Sequence, residues 1–271
     1  MTADLPMLIE AQALADRLED TDLLIVHVAS AESYANGHVP GAVHLPPAAL
    51  ISGVKPATGS LPGATQLSEV FSALGLSDTR HVIAYDDEGG GWAGRLLWTL
   101  DVLGHNRYSY LNGGIHAWHA ANLPLQTTAQ QPRPTDYEAN INAEPRAQLD
   151  FIVQHLNAAN FAVWDARSKE EYDGSKVFAQ RGGHIPGAVW YEWTDLMDRD
   201  ANLRLLDLNA IRNTLAERGL TPDKTIVTHC QTHHRSGLTY LVARLLGYSS
   251  IKAYDGSWSE WGNRDDTPIE T

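Results

Sequence analysis

Four blocks of this chain occur twice, in the same order and at nearly the same spacing, so it is built as two copies of one unit. The stretch GHVPGAVHLP (37–46) returns as GHIPGAVWYE (183–192). Before each lies an apolar run that leads into an acidic helix start, LLIVHVASAESY (23–34) and FAVWDARSKEEY (161–172). Further on, HVIAYDDEGGGWAGRLLWTLDVLGH (81–105) parallels TIVTHCQTHHRSGLTYLVARLLGY (225–248), with the one extra residue assigned to the first copy's loop. YLNGGIHAW (110–118) parallels AYDGSWSEW (253–261). Four blocks in register exclude coincidence, and two long copies are too few for a solenoid.

Each copy reads the same way. A short apolar strand is followed by a Ser- or Asp-rich helix start and then by a tight turn at His-x-Pro-Gly-Ala-Val, where Pro and Gly set the backbone. A second strand is expected at Val82–Tyr85 and at Thr225–His229. A loop and an amphipathic helix follow. In the second copy Leu238, Leu241, Val242, Leu245 and Leu246 share one face, and Gly247 closes the helix. Strands alternating with helices predict an α/β fold: two domains, each a mostly parallel central sheet with helices on both faces. The boundaries expected are 1–124, a linker at 125–149 rich in Gln, Thr, Pro and Asn, and 150–271.

The 271 residues are 43% hydrophobic, enough for full cores, and no apolar run is long enough to span a membrane. The start, MTADLPMLIEAQALADRLED, lacks the basic and apolar pattern of a secretory leader, so a cytoplasmic protein is expected. The formal charge of −13 opposes nucleic acid or an anionic membrane as partner. The cations are unevenly placed: residues 1–124 carry 5 Lys+Arg against 13 Asp+Glu, residues 150–271 carry 13 against 17.

The single cysteine, Cys230, stands in THCQTHHRSG (228–237), between a strand and a helix. Amide N–H groups at a helix start lack intrahelical partners and, with the dipole, favour a negative charge. Arg235 adds a cation close by. The position should therefore favour a thiolate, the nucleophilic form. The same cradle suits the outer sulfur of a Cys–S–S⁻ persulfide. Thiosulfate would then be a fitting donor and cyanide or another thiol a fitting acceptor, in two half-reactions with a covalent intermediate. A buried structural cysteine is the plain alternative, but His229, Gln231, Thr232, His233 and His234 do not suit an apolar core. Zinc is a second alternative. Consecutive ligands on one tight loop cannot all face one ion, so no metal and no cofactor beyond the covalent persulfide is expected. His233 and His234 are expected to donate hydrogen bonds or line the pocket mouth.

The duplicated pattern resembles the rhodanese family of sulfurtransferases over nearly the whole chain, through the His-x-Pro-Gly-Ala turns, Asp165-Ala-Arg167 and the cysteine loop. The resemblance implies a thiosulfate sulfurtransferase with its persulfide on Cys230. It also implies a six-residue active-site loop of Cys230, Gln231, Thr232, His233, His234 and Arg235, with Ser236 next to it. In tandem members of the family the first domain usually has Asp at the cysteine position and is inactive. Asp86 aligns with Cys230, and Asp86-Asp87-Glu88 is expected to repel an anion. The first domain would then shape the cleft and shield the persulfide.

The chain also departs from family patterns. Thr232 stands where animal thiosulfate-type members have lysine, and Glu171 where they have arginine. The Gly-Ser-Gly-Val-Thr loop of mercaptopyruvate-type members is absent. Arg235 is expected to supply the anion contact, with Arg181 and Arg167 as further candidates. Asp165 is expected to fix the loop, and Trp164, Trp190 and Trp193 to pack near it. The related phosphatases need Cys-x5-Arg, whereas four residues separate Cys230 from Arg235. A sulfur carrier that serves a protein acceptor is the other alternative. Small-molecule donor and acceptor and a monomeric state complete the expectation.

Overall fold

The computed structural model describes residues 5–271; residues 1–4, the start of the segment read for a leader, lie outside the described residues. The chain divides into two compact units. One comprises the chain up to Leu50, Pro62–Asn142 and Asp198–Leu205; the other comprises Ile51–Leu61, Ala143–Met197 and Leu206–Thr271. Residues 51–61 thus belong to the second unit although they lie between blocks of the first repeat.

In the first unit five strands, Leu8–Ile9 (β1), Leu23–Val28 (β2), Val43–Leu45 (β3), His81–Tyr85 (β4) and Tyr108–Leu111 (β5), form a sheet of order β1-β5-β4-β2-β3. Every pairing is parallel. All residues of β2 and β4 are buried. Unbroken apolar runs are what a parallel sheet covered on both faces requires. The second unit contains Phe161–Asp165 (β6) and Val189–Trp190 (β7); next along the chain come two short strands, Met197–Asp198 (β8) and Arg204–Leu205 (β9), the latter within the first unit. Thr225–His229 (β10) and Ile251–Ala253 (β11) then complete a parallel sheet of order β11-β10-β6-β7.

The registers coincide. His27 of β2 lies opposite Tyr85 of β4, and Asp165 of β6 lies opposite His229 of β10. The next residues along β4 and β10 are Asp86 and Cys230. Both following helices, Gly91–Val102 and Arg235–Leu245, begin five residues past those positions and run for 12 and 11 residues. Leu238, Leu241 and Val242 are buried, Leu245 is half-buried, and Gly247 closes the helix at φ +82°.

The repeated His-x-Pro-Gly turn is a structural module in both units. Tyr34 stacks on His38 at 3.9 Å and donates to the Ala42 carbonyl; Tyr172 stacks on His184 at 3.7 Å and donates to the Ala188 carbonyl. His38 exchanges backbone hydrogen bonds with Gln126, as His184 does with Glu270. The segment after the first repeat has no regular structure between 128 and 142 but is pinned. Thr135 N–H donates to the Ser72 carbonyl, Tyr137 N–H to Ser72 Oγ, and Ala139 N–H to Ser68 Oγ, all on the helix Ala64–Leu74.

Candidate active site

Cys230 follows the last residue of β10 and is 1% exposed. Its own N–H donates to Ser257 Oγ at 3.4 Å, and its carbonyl accepts from Trp258 N–H at 3.0 Å. Gln231 and Thr232 are half-buried, and Gln231 Nε2 donates to the Phe178 carbonyl at 3.2 Å. His233 is fully buried at φ +56°, a left-handed backbone that costs a non-glycine residue about 1 kcal/mol or more. It is held by Ser236 Oγ, 2.7 Å from His233 Nδ1. His234 caps the helix and faces Trp193, with ring centroids 5.7 Å apart. All seven loop residues predicted from the sequence are thus contiguous around one strand-to-helix turn. His233 and Ser236 are buried against each other, while Gln231, Thr232, His234 and Arg235 are half-buried.

The first unit shows what the frame is made for. Asp86, at the position equivalent to Cys230, is fully buried. Its Oδ1 accepts the N–H groups of Glu88, Gly89 and Gly90 at 3.1, 3.1 and 2.8 Å, and its Oδ2 accepts that of Ala93 at 2.9 Å. Gly89 and Gly90 take φ of +93° and +103°, which turns their amides inward. Burial pushes the Asp86 carboxyl up from its ordinary value, while the amides of Ala93, Gly90 and Glu88 act the other way. The amides converge on the carboxyl group of Asp86, so this position is already occupied by the chain itself.

Arg235 is engaged otherwise than expected. Its guanidinium makes a two-pronged pair with Glu171, Nη1–Oε2 2.6 Å and Nη2–Oε1 2.8 Å. Glu171 also closes a capping box with Ser168. Burial acts against the charge of Arg235, but Glu171 and the adjacent Cys230 hold its protonation above the ordinary arginine range. Arg167 is buried, pairs with Asp165 (Nη2–Oδ2 2.6 Å), donates to the Gly183 carbonyl at 2.8 Å and lies 4.3 Å over the Trp258 ring. Arg181 is spent on the carbonyls of Thr267 and Trp261 at 3.0 and 3.1 Å and anchors the C-terminal segment.

Asp165 reaches the loop only through a neighbour. Its Oδ2 lies 3.5 Å from His229 Nε2, and His229 Nδ1 lies 3.1 Å from the Cys230 carbonyl. Burial acts to raise the Asp165 carboxyl, but His229 and Arg167 outweigh it and hold it at about 2. Burial pushes the His229 imidazole down from its ordinary value, against the pull of Asp165. Two contributors escaped the sequence reading: Glu171 as the partner of Arg235, and Ser257 as acceptor for the Cys230 amide. Ser257 sits in the repeated AYDGSWSEW block at φ +52°, which was the available signal. Trp164 is buried and donates to the Tyr191 carbonyl at 2.8 Å, and Trp190 donates to the Arg167 carbonyl at 3.0 Å; both pack rather than bind. Among the described residues no group of three His, Cys, Asp or Glu side chains is placed to hold a metal ion.

The Rhodanese-like domain model matches residues 10–121 and again 149–264. The chain belongs to the rhodanese family. It is 50% identical over 268 residues to the thiosulfate sulfurtransferase of Azotobacter vinelandii, covering 99% of this chain and 98% of that one. It is 48% identical, with the same coverage, to the thiosulfate sulfurtransferase of Pseudomonas aeruginosa. The fold matches the solved anaerobic ergothioneine biosynthesis enzyme of Chlorobium limicola with a TM-score of 0.87 at 23% identity, over 98% of this chain and 70% of that one. Within this rhodanese, the two family matches fall on the two repeats read from the sequence. No described helix is long and apolar enough to cross a membrane.

Proposed function

We propose that this rhodanese is a thiosulfate sulfurtransferase that carries sulfur as a persulfide on Cys230. The observation that carries the reading is the amide ring of the first unit, in which four N–H groups converge on the side-chain carboxyl oxygens of Asp86, at the position equivalent to Cys230. A loop of the same descent, beginning at the same point of the sheet, suits a sulfur anion. In the first half-reaction the Cys230 thiolate attacks the outer sulfur of thiosulfate. The sulfur–sulfur bond of the donor breaks, and sulfite leaves with the electron pair. In the second, cyanide or another thiophile attacks the outer sulfur of Cys–S–S⁻, the new carbon–sulfur bond forms, and the thiolate returns. No metal or cofactor enters either step.

Arg235 serves here through position. Its charge lies beside Cys230 while Glu171 fixes the guanidinium plane. Asp165, Arg167 and His229 hold the loop from beneath. The protein works as a monomer in the cytoplasm, in keeping with its single free cysteine. A protein thiol as acceptor is the second reading. It is favoured by Phe178, 57% exposed next to the loop residue Gln231 that its carbonyl holds.

Mass spectrometry of protein treated with thiosulfate should show one added sulfur on Cys230, removed by cyanide with release of thiocyanate. Cys230→Ser should lower turnover by about 10⁴-fold. A folded Cys230→Ser protein with undiminished turnover would remove the nucleophile.

A further inference from the structure

We propose that Lys55 recruits the anionic sulfur donor to the mouth of the Cys230 site, where the loop's own cation, Arg235, is neutralised by Glu171; this rests on the reading of Cys230 as nucleophile. A depression of about 650 Å³ opens beside the cysteine loop, where Gln231 and Thr232 form part of its wall. Among the described residues lining it, Lys55 is the only charged one.

The arginines near the loop are spent elsewhere. Arg235 is bound two-pronged to Glu171, Arg167 to Asp165, and Arg181 to main-chain carbonyls. Lys55 is exposed and has no ion-pair partner among the described residues. A protein of formal charge −13 repels a dianion at long range, so one unneutralised ammonium at the opening has a large effect on local donor concentration.

Lys55 is also held in place. It sits near the tip of a small loop closed by Ser52 N–H to Ser60 carbonyl at 2.8 Å and Gly53 N–H to Thr58 carbonyl at 3.0 Å. The base of the loop is fastened by Leu61 N–H to Asp255 Oδ2 at 2.7 Å, and Asp255 is paired with Arg146 at 2.9 Å. At Gly59 the backbone comes so close to Thr232 that a Cβ would stand 1.9 Å from the Thr232 carbonyl oxygen. Glycine is therefore required there, and the loop bearing Lys55 keeps a fixed position against the loop bearing Cys230.

Two measurements on the full chain test this. The first is the second-order rate of sulfur loading from thiosulfate in Lys55→Ala, Lys55→Glu and Lys55→Arg. At low ionic strength it should fall about threefold in Lys55→Ala and about tenfold in Lys55→Glu, with kcat unchanged and Lys55→Arg close to the wild type. In concentrated salt the differences should shrink to less than about twofold. The second needs no sulfur donor: the ratio of Cys230 alkylation rates by anionic iodoacetate and neutral iodoacetamide. That ratio should fall about twofold in Lys55→Ala and further in Lys55→Glu. An unchanged ratio in Lys55→Glu overturns the role of Lys55. A reduced ratio in a protein that thiosulfate does not load supports Lys55 and instead refutes the choice of donor.

Discussion

The loops after β4 and β10 start from equivalent positions of two sheets with the same register, and they end differently. In the first unit Asp86 satisfies four amides with its own carboxylate, so the ring is closed to any visitor. In the second unit a thiol stands there, and the polar side chains of His233, Ser236 and Ser257 support the turn. The strand positions beneath differ in parallel. The first unit stacks His27 on Tyr85 at 4.4 Å, a neutral aromatic pair. The second places Asp165, Arg167 and His229 there, a buried ionic chain that ends at the Cys230 carbonyl. One duplicated frame thus closes on the chain's own carboxyl group in one copy and carries a free thiol in the other. The strand-to-helix frame is common to both copies; the side chain at its centre differs.

Three experiments would break or sharpen that contrast. The largest effect is expected beneath the second loop. Asp165→Ala leaves the Arg167 guanidinium buried without its carboxylate and should cost about 4 kcal/mol in urea unfolding. In the wild type the depressed Asp165 makes its contribution in full above about pH 4 and loses it as pH falls through about 2. A cost under about 1 kcal/mol would show that the ionic chain does not support the loop.

The first unit should respond in a different pH window. Burial, partly opposed by Asp87, lowers His27 from 6.5 to about 4. A base whose folded pKa is depressed takes up its proton more readily when unfolded. Its contribution is therefore complete above pH 6.5 and is lost as pH falls to 4, by up to about 3 kcal/mol. His229 and His105 are also lowered by burial and add to the same slope. The measurement is the difference in slope between wild type and His27→Asn, and equal slopes would refute the account.

The smallest effect concerns Asp86. Asp86→Ala orphans four amides, three of them buried, and should cost about 2 kcal/mol. Sulfate should restore part of that in the variant beyond what it does for the wild type. Chloride at matched ionic strength should not. Failure of sulfate to discriminate between the two proteins would mean that the emptied ring is no anion site.

Much of this was legible in sequence because it is local. Cys230 lies between a strand and a helix, and the His-x-Pro-Gly turns recur in both copies. Glu171 read only as a departure from family pattern, because its pairing with Arg235 spans residues far apart in the chain. Arg181 read as a candidate for anions, since nothing nearby in sequence announces that Thr267 and Trp261 consume it. The role of 51–61 was invisible for the same reason: its anchors, Asp255 and Thr232, come from the second repeat.

The order of residues alone determined the duplication, the parallel α/β class and the place of the thiol. These follow from periodicity, turn chemistry and the identity of one atom type at one position. Tertiary structure decided which charges remain available. Whether an arginine is free or neutralised depends on carboxylates and carbonyls brought within about 3 Å by folding, and Coulomb attraction falls too steeply with distance for sequence spacing to stand in for it.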